Sequence, residues 1–177
     1  MRFRKLLFNF ELNLKVKCYK GRLVIQQQMP RVTYYSFQFR GAQLTETEKF
    51  ITRFKDHALY GQDFNMIMAV INEMGRNRGA NVDYFRGERY GEALPPPYKS
   101  GNLRLYCGRY SGRIVILCNG GVKTSRLPEN SPDCRPHFEL MNALMKNINK
   151  RVWERTLSEK DGILTGDLNF EIGDCYD

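Results

Sequence analysis

The stretch GNLRLYCGRYSGRIVILCNGGVK, residues 101–123, decides how the rest of the chain is read. It contains two short apolar runs separated by YSGR, a turn in which Gly112 suits a positive φ, so it predicts an antiparallel hairpin. In the first run Leu103, Leu105 and Cys107 point to one face, while Arg104 and Tyr106 point to the other. In the second, Ile114 and Ile116 alternate with Val115 and Leu117, so both faces are apolar, as a central strand requires. The hairpin also carries Arg104, Arg109, Arg113 and Lys123 without one acidic residue. A sheet core has no use for such charge; a face left open for a polyanion does.

Upstream, Thr45 and Glu48 form a capping-box pattern, followed by Phe50, Ile51, Phe54, Ala58 and Leu59 at helical spacing. Gly61 interrupts this pattern. Asp63 is a candidate cap for a second helix, whose apolar stripe is Ile67, Val70, Ile71 and Met74. The two predict a helical hairpin packed on a sheet. VTYYSFQF, from Val32, reads as a strand before them, and VDYFRGERY as a short one after them. LPPPYK reads as a rigid loop and NGGVKTSR as a flexible exit from the central hairpin. Downstream of the proline-rich LPENSPDCRP, the residues Phe138, Met141, Leu144, Met145, Ile148 and Val152 mark one face of a long helix. The terminal KDGILTGDLNFEIGDCYD alternates enough for a last strand or an ordered tail. The order of elements predicts an α+β domain.

The chain begins with RFRKLLFNFELNLKVK, in which Phe8, Phe10, Leu12, Leu14 and Val16 alternate with polar residues as a half-buried strand. Tyr19-Lys20-Gly21-Arg22 reads as a turn, with Leu23–Ile25 returning beside it. Residues 1–28 are therefore set apart as an N-terminal extension, and 29–177 as the main domain. Glu11 and the asparagines break any signal-peptide pattern. No run approaches the roughly 20 apolar residues of a membrane span. The five cysteines form no CxxC pair and no histidine stands at metal spacing, so a reducing cytoplasm is expected, with no metal and no cofactor.

The net charge of +9 is unevenly spread. Residues 1–28 hold seven basic groups and one acid, 76–126 hold ten and three, and 127–177 hold six and ten. A solvated surface explains many charge runs. Here the positive band lies on strand-like segments rich in aromatics, which favours nucleic acid.

LRLYCGRYSGRIVILCNGGVK resembles the central antiparallel strands of the RelE/ParE/HigB toxin superfamily; DYFRGERY and GDLNFEI are similar to segments of its larger, HigB-like members. The resemblance implies a RelE-like fold: a curved antiparallel sheet with an N-terminal helical hairpin on one face and a further C-terminal helix. It also implies a toxin of a type II toxin–antitoxin system, acting as a ribosome-dependent messenger RNA endoribonuclease. The partners would be messenger RNA, the ribosome and a cognate antitoxin with a helix-turn-helix DNA-binding part. The ParE branch instead poisons gyrase without cleaving RNA, so the same fold also admits a non-nuclease interaction protein.

Metal-free cleavage uses the ribose 2′-hydroxyl as nucleophile on the adjacent phosphate. Fixed cations must then meet the charge that builds on the phosphoryl oxygens. Arg104, Lys123 and Arg126 are the expected phosphate ligands, the last two because the resemblance puts the strand exit beside the basic catalytic face. Tyr106 is expected to stack on a base or to donate a hydrogen bond. Lys99 and Arg109 are candidate RNA-backbone contacts. A lysine among other cations is eased toward acting as a base. His137 is the lesser acid/base candidate, and His57 reads as a helix-end packing residue. The chain departs from the nuclease members in lacking a clear tyrosine or histidine after the basic exit strand; Tyr176 lies too near the end to map onto one.

Overall fold

The computed structural model describes residues 17–96 and 101–175. The strand expected over Phe8–Val16, the Lys99 candidate and Tyr176 lie outside them. The chain is mixed α+β, with a curved, unclosed and mostly antiparallel sheet and three helices. No helix among the described residues is long and apolar enough to cross a membrane.

In chain order the elements are β1 (Tyr19–Gln28), β2 (Thr33–Phe39), α1 (Glu46–Phe54), α2 (Gly61–Glu73), β3 (Arg86–Glu88), β4 (Gly91–Leu94), β5 (Leu103–Arg109), β6 (Ile114–Val122), α3 (Arg135–Trp153), β7 (Leu157–Lys160), β8 (Ile163–Gly166) and β9 (Asn169–Ile172). Seven strands form one sheet in the order β3-β4-β5-β6-β2-β1-β9, and β7-β8 is a separate hairpin. All neighbours in the large sheet are antiparallel except β2 and β6, which run parallel.

The hairpin of residues 101–123 forms as its pattern predicts, at the centre of the sheet, with Leu103 opposite Val122 and Arg109 opposite Val115. Its turn is made without a positive φ at Gly112, the glycines that adopt one lying elsewhere. Leu103, Leu105 and Cys107 join Val115 and Leu117 under Phe50, Phe54, Phe64, Ile67 and Ile71 of α1 and α2. The expected helical pair therefore covers the expected face. Thr45 caps α1 in a full capping box with Glu48, but the helix stops at Phe54, short of Ala58 and Leu59. Tyr60, not Asp63, occupies the cap position of α2.

The second face of the sheet is also covered. Tyr106, Ile114, Ile116 and Cys118 meet Phe138, Leu140, Met141, Leu144, Met145 and Ile148 of α3, with Leu157 and Leu164 of the β7-β8 hairpin beside them. Tyr35 ties that hairpin down, its hydroxyl accepting from the Leu164 N–H at 3.0 Å. The sheet is thus the middle layer of three, and parity along β5 selects which helical layer a side chain meets. Val152, expected on the buried face of α3, is 41% exposed near the helix end.

Two local expectations are overturned for one physical reason, close packing. Residues 19–22 make no turn; Tyr19–Gln28 is one strand lying between β2 and β9. Gly21 serves close approach there, since a Cβ would lie 2.3 Å from the Gln38 carbonyl oxygen and 2.6 Å from the Phe37 ring. Gly120 and Gly121 are likewise not a flexible exit but the last turns of the β6 ladder. A Cβ on Gly120 would overlap the Arg104 carbonyl oxygen at 1.9 Å, and one on Gly121 the Asp133 carbonyl oxygen at 2.5 Å.

The cysteines depart from expectation as well. Cys107, Cys118 and Cys134 are free and buried, but Cys18 and Cys175 form a disulfide across 157 residues of sequence. It closes the end of the β1-β9 pair, where Tyr19 stands opposite Ile172. Alternation and composition carry no trace of this pairing, because it depends on the register of two strands at opposite ends of the chain.

Candidate functional site: a cationic cleft at the end of the central hairpin

At the open end of β5 and β6 lies a cleft of about 580 Å³, lined by Tyr60, Asn102, Arg104, Val122, Lys123, Thr124, Ser125 and Arg126. Arg104, Lys123 and Arg126, separated by up to 22 positions in sequence, are brought together here, and no carboxylate is among the described lining residues, although Glu88 lies within electrostatic reach of Lys123 and Arg104. Val122, Thr124 and Ser125 come with the strand exit, and Asn102 and Tyr60 join the lining without having been singled out by the sequence pattern. Asn102 follows from the hairpin register, since its carbonyl accepts from the Lys123 N–H at 2.8 Å. Tyr60 arrives from the α1–α2 connection and has no local signal.

Arg104 is largely buried, at 9% exposure. Its Nη1 donates to the carbonyls of Gly101 and Leu103, both at 2.8 Å, which pins the guanidinium to the start of β5. Burial first, and the nearby Arg86 next, draw its pKa below the usual arginine value. A guanidinium remains a cation under such pressure, so the cleft carries a fixed positive wall.

The opposite wall is the segment after β6, and it is held from behind. Ser131 Oγ accepts from the Thr124 and Ser125 N–H groups at 3.1 and 3.0 Å. Asp133 accepts from the Val122 N–H at 2.7 Å and pairs in fork geometry with Arg53 at 2.8 and 2.9 Å. Burial pushes the Asp133 carboxyl up, but the Arg53 and Val122 hydrogen bonds outweigh it and hold the pKa below the usual carboxylate range. The segment carrying Lys123 and Arg126 is therefore fixed by a serine and a carboxylate that both lie outside the cleft lining.

Other expected site residues fall elsewhere. Tyr106 does not face open solvent: it is 1% exposed and packs edge-on against Phe138 at 6.2 Å. Its parity with Arg104 is as expected, but α3 occupies the space in front of it. Burial drives its phenol far above the usual range. His137 stands within electrostatic reach of the Lys49–Glu46 and Arg53–Asp133 ion pairs, and burial lowers its pKa despite the two carboxylates. Arg109 lies at the other end of the hairpin, its Nε donating to the Ala80 carbonyl at 2.5 Å and its backbone N–H to Glu92. Arg113 lies there too, its guanidinium against Gly162. His57 does pack near a helix end, but its ring also backs Tyr60 at a centroid distance of 4.9 Å.

Chemically, the cleft offers three cations, two hydroxyls, an amide and a phenol to an anionic ligand, in a class of site that binds phosphate groups. Among the described residues no group of three or more histidine, cysteine or acidic side chains is placed to hold a metal. No family model matches the chain, and neither the curated proteins nor the solved structures yield a match.

Proposed function

We propose that the protein is a toxin of a type II toxin–antitoxin system that binds messenger RNA on the ribosome and cleaves it, inhibiting translation. The observation that carries this reading is the meeting of Arg104, Lys123 and Arg126 in one cleft with no carboxylate among its described lining residues. The resemblance of residues 101–123 to the RelE/ParE/HigB strands supports it. In the proposed reaction the 2′-hydroxyl attacks the neighbouring phosphorus, the bond to the 5′-oxygen breaks, and a 2′,3′-cyclic phosphate and a 5′-hydroxyl result. Lys123 and Arg126 would meet the charge on the phosphoryl oxygens, and Arg104 would fix the field behind them; losing one such group costs about 10²- to 10³-fold in rate. The reading places the protein in the cytoplasm, where the Cys18–Cys175 pair would be kept as thiols, with a helix-turn-helix antitoxin as partner.

A second reading, RNA binding or target inhibition without cleavage, is favoured by the position of Tyr106 and His137. Both stand outside the cleft lining, which leaves proton transfer to Lys123 or Tyr60. Inducible expression of the wild type and of Lys123→Ala in a bacterial host, with mapping of messenger RNA 5′ ends, separates the two. Cuts within translated codons that vanish in the variant support the nuclease; growth arrest with intact messenger RNA supports the second reading.

A further inference from the structure

The reading of the cleft as an RNA site leaves open what its one aromatic wall does. We infer that Tyr60 is a nucleobase platform, so that the cleft takes single-stranded RNA, with a base on the Tyr60 ring and the adjoining phosphate on the Lys123–Arg126 side. This rests on the RNA reading and deepens it.

Tyr60, the cap residue of α2, is held by both its backbone and its ring. Its backbone N–H and that of Leu59 both donate to His57 Nδ1, at 3.3 and 3.1 Å. Its carbonyl accepts from the Phe64 N–H at 2.9 Å. The ring is backed by His57 at 4.9 Å with a 44° tilt, and meets Phe54 edge-on at 6.4 Å. Phe54 is fully buried and packs against Phe50, so the three rings form a rigid support anchored in the core. A ring fixed before the ligand arrives loses little conformational freedom on binding. The phenol makes no side-chain hydrogen bond with the described residues; the ring is half-buried at the margin of the core under α1 and α2, and its neighbours in the cleft lining are Val122 together with polar and cationic side chains.

Stacking needs an unpaired base: in a duplex the bases are already stacked on one another and their faces are closed. Cation and aromatic surface side by side is the arrangement with which single strands are bound, the cation following the backbone and the ring following the bases. A duplex or an isolated phosphate would use the cations alone and be indifferent to Tyr60. Exposed Asn102, in the lining of the same cleft, adds an amide that can pair with a base edge.

The test uses the full chain and fluorescence anisotropy with three labelled probes. These are a 2′-O-methyl oligouridylate, which cannot be cleaved, its abasic counterpart, and its duplex with oligoadenylate. The wild type is expected to prefer the single strand to both others. Tyr60→Ala should weaken oligouridylate binding roughly 5- to 100-fold, the span of one lost base stack, and leave abasic binding unchanged. Tyr60→Trp should retain the preference, with thermal melts confirming that both variants fold. Equal loss on the base-bearing and abasic probes, or no loss on either, overturns the platform. If Lys123→Ala loses all three probes while Tyr60→Ala loses none, the RNA cleft stands and the platform falls. If the wild type binds no probe, both fall together.

Discussion

Arg104 and Tyr106 stand two positions apart on β5 and were read together as a pair facing RNA. One lines the cleft and the other is sealed beneath α3. The Tyr106 hydroxyl is buried without a hydrogen bond of ordinary geometry, a cost that removing the oxygen relieves. Tyr106→Phe is therefore expected to raise stability by about 1 kcal/mol, and to leave nucleic-acid binding at the wild-type level, measured by chemical denaturation and anisotropy. The opposite sign is expected at Gly120, where a Cβ meets the Arg104 backbone rather than a side chain that could move aside. Gly120→Ala should cost more than about 2 kcal/mol and distort the cleft wall, visible as a lowered melting temperature. Asp133 gives a pH signature. Its pKa is depressed in the folded chain, so its contribution is present above the unfolded value of about 4 and is lost as the pH falls through the folded value. Asp133→Asn should flatten that part of the acid-denaturation curve and lower stability at neutral pH.

At the scale of elements, α3 explains most of what sequence pattern did not convey. Its apolar face was legible at i, i+3 and i+4 spacing, and so were the two faces of β5 and β6. Periodicity states that a face is buried but not against which partner. The side of the sheet carrying Tyr106 was therefore read as open, when the same helix whose stripe had been recognised closes it. The cleft survived this error because it lies at the end of the strands, beyond the reach of α3. Its three cations were legible from charge and from the resemblance of residues 101–123; Tyr60 was not, because a connection between helices has no repeat to betray its direction. The disulfide is the other silent feature. Replacing Cys18 with serine is expected to cost about 2–5 kcal/mol by the chain-entropy account, with the loss matched in the wild type by a reductant. If the melting temperature is indifferent to both, the clasp contributes nothing.

Over the whole molecule, the positive band of residues 76–126 divides between the two ends of the central hairpin. Lys123 and Arg126 lie at the cleft end, while Arg109 and Arg113 lie at the turn end with exposed Arg31, Arg76 and Arg78 on neighbouring connections, the last two in the π-helical turn Met74–Arg78 that follows α2. Those connections are joined by bonds from the Arg31 N–H to the Gly75 carbonyl at 2.8 Å and from the Ala80 N–H to the Gly112 carbonyl at 2.9 Å. Arg109→Ala should accordingly leave single-strand affinity within about twofold of the wild type, whereas Lys123→Ala should lower it and reduce the salt dependence by about one unit of slope. Equal effects from the two variants would mean that the ligand spans the whole hairpin.

The Cys18–Cys175 bond has a mechanical consequence. Among the described residues the first and last strands lie side by side and antiparallel, and the bond joins the residue just before β1 to one just after β9. A pull applied to the chain at Cys18 and Cys175 therefore travels through sulfur, and the sheet between them carries no load. Once the bond is reduced, the same pull acts on Tyr19 and Ile172 first, and β9 peels from β1 one pair at a time, the weakest direction in which a sheet can be loaded. The oxidised chain resists being drawn by its ends into a narrow pore, and the reduced chain offers a starting point for unthreading.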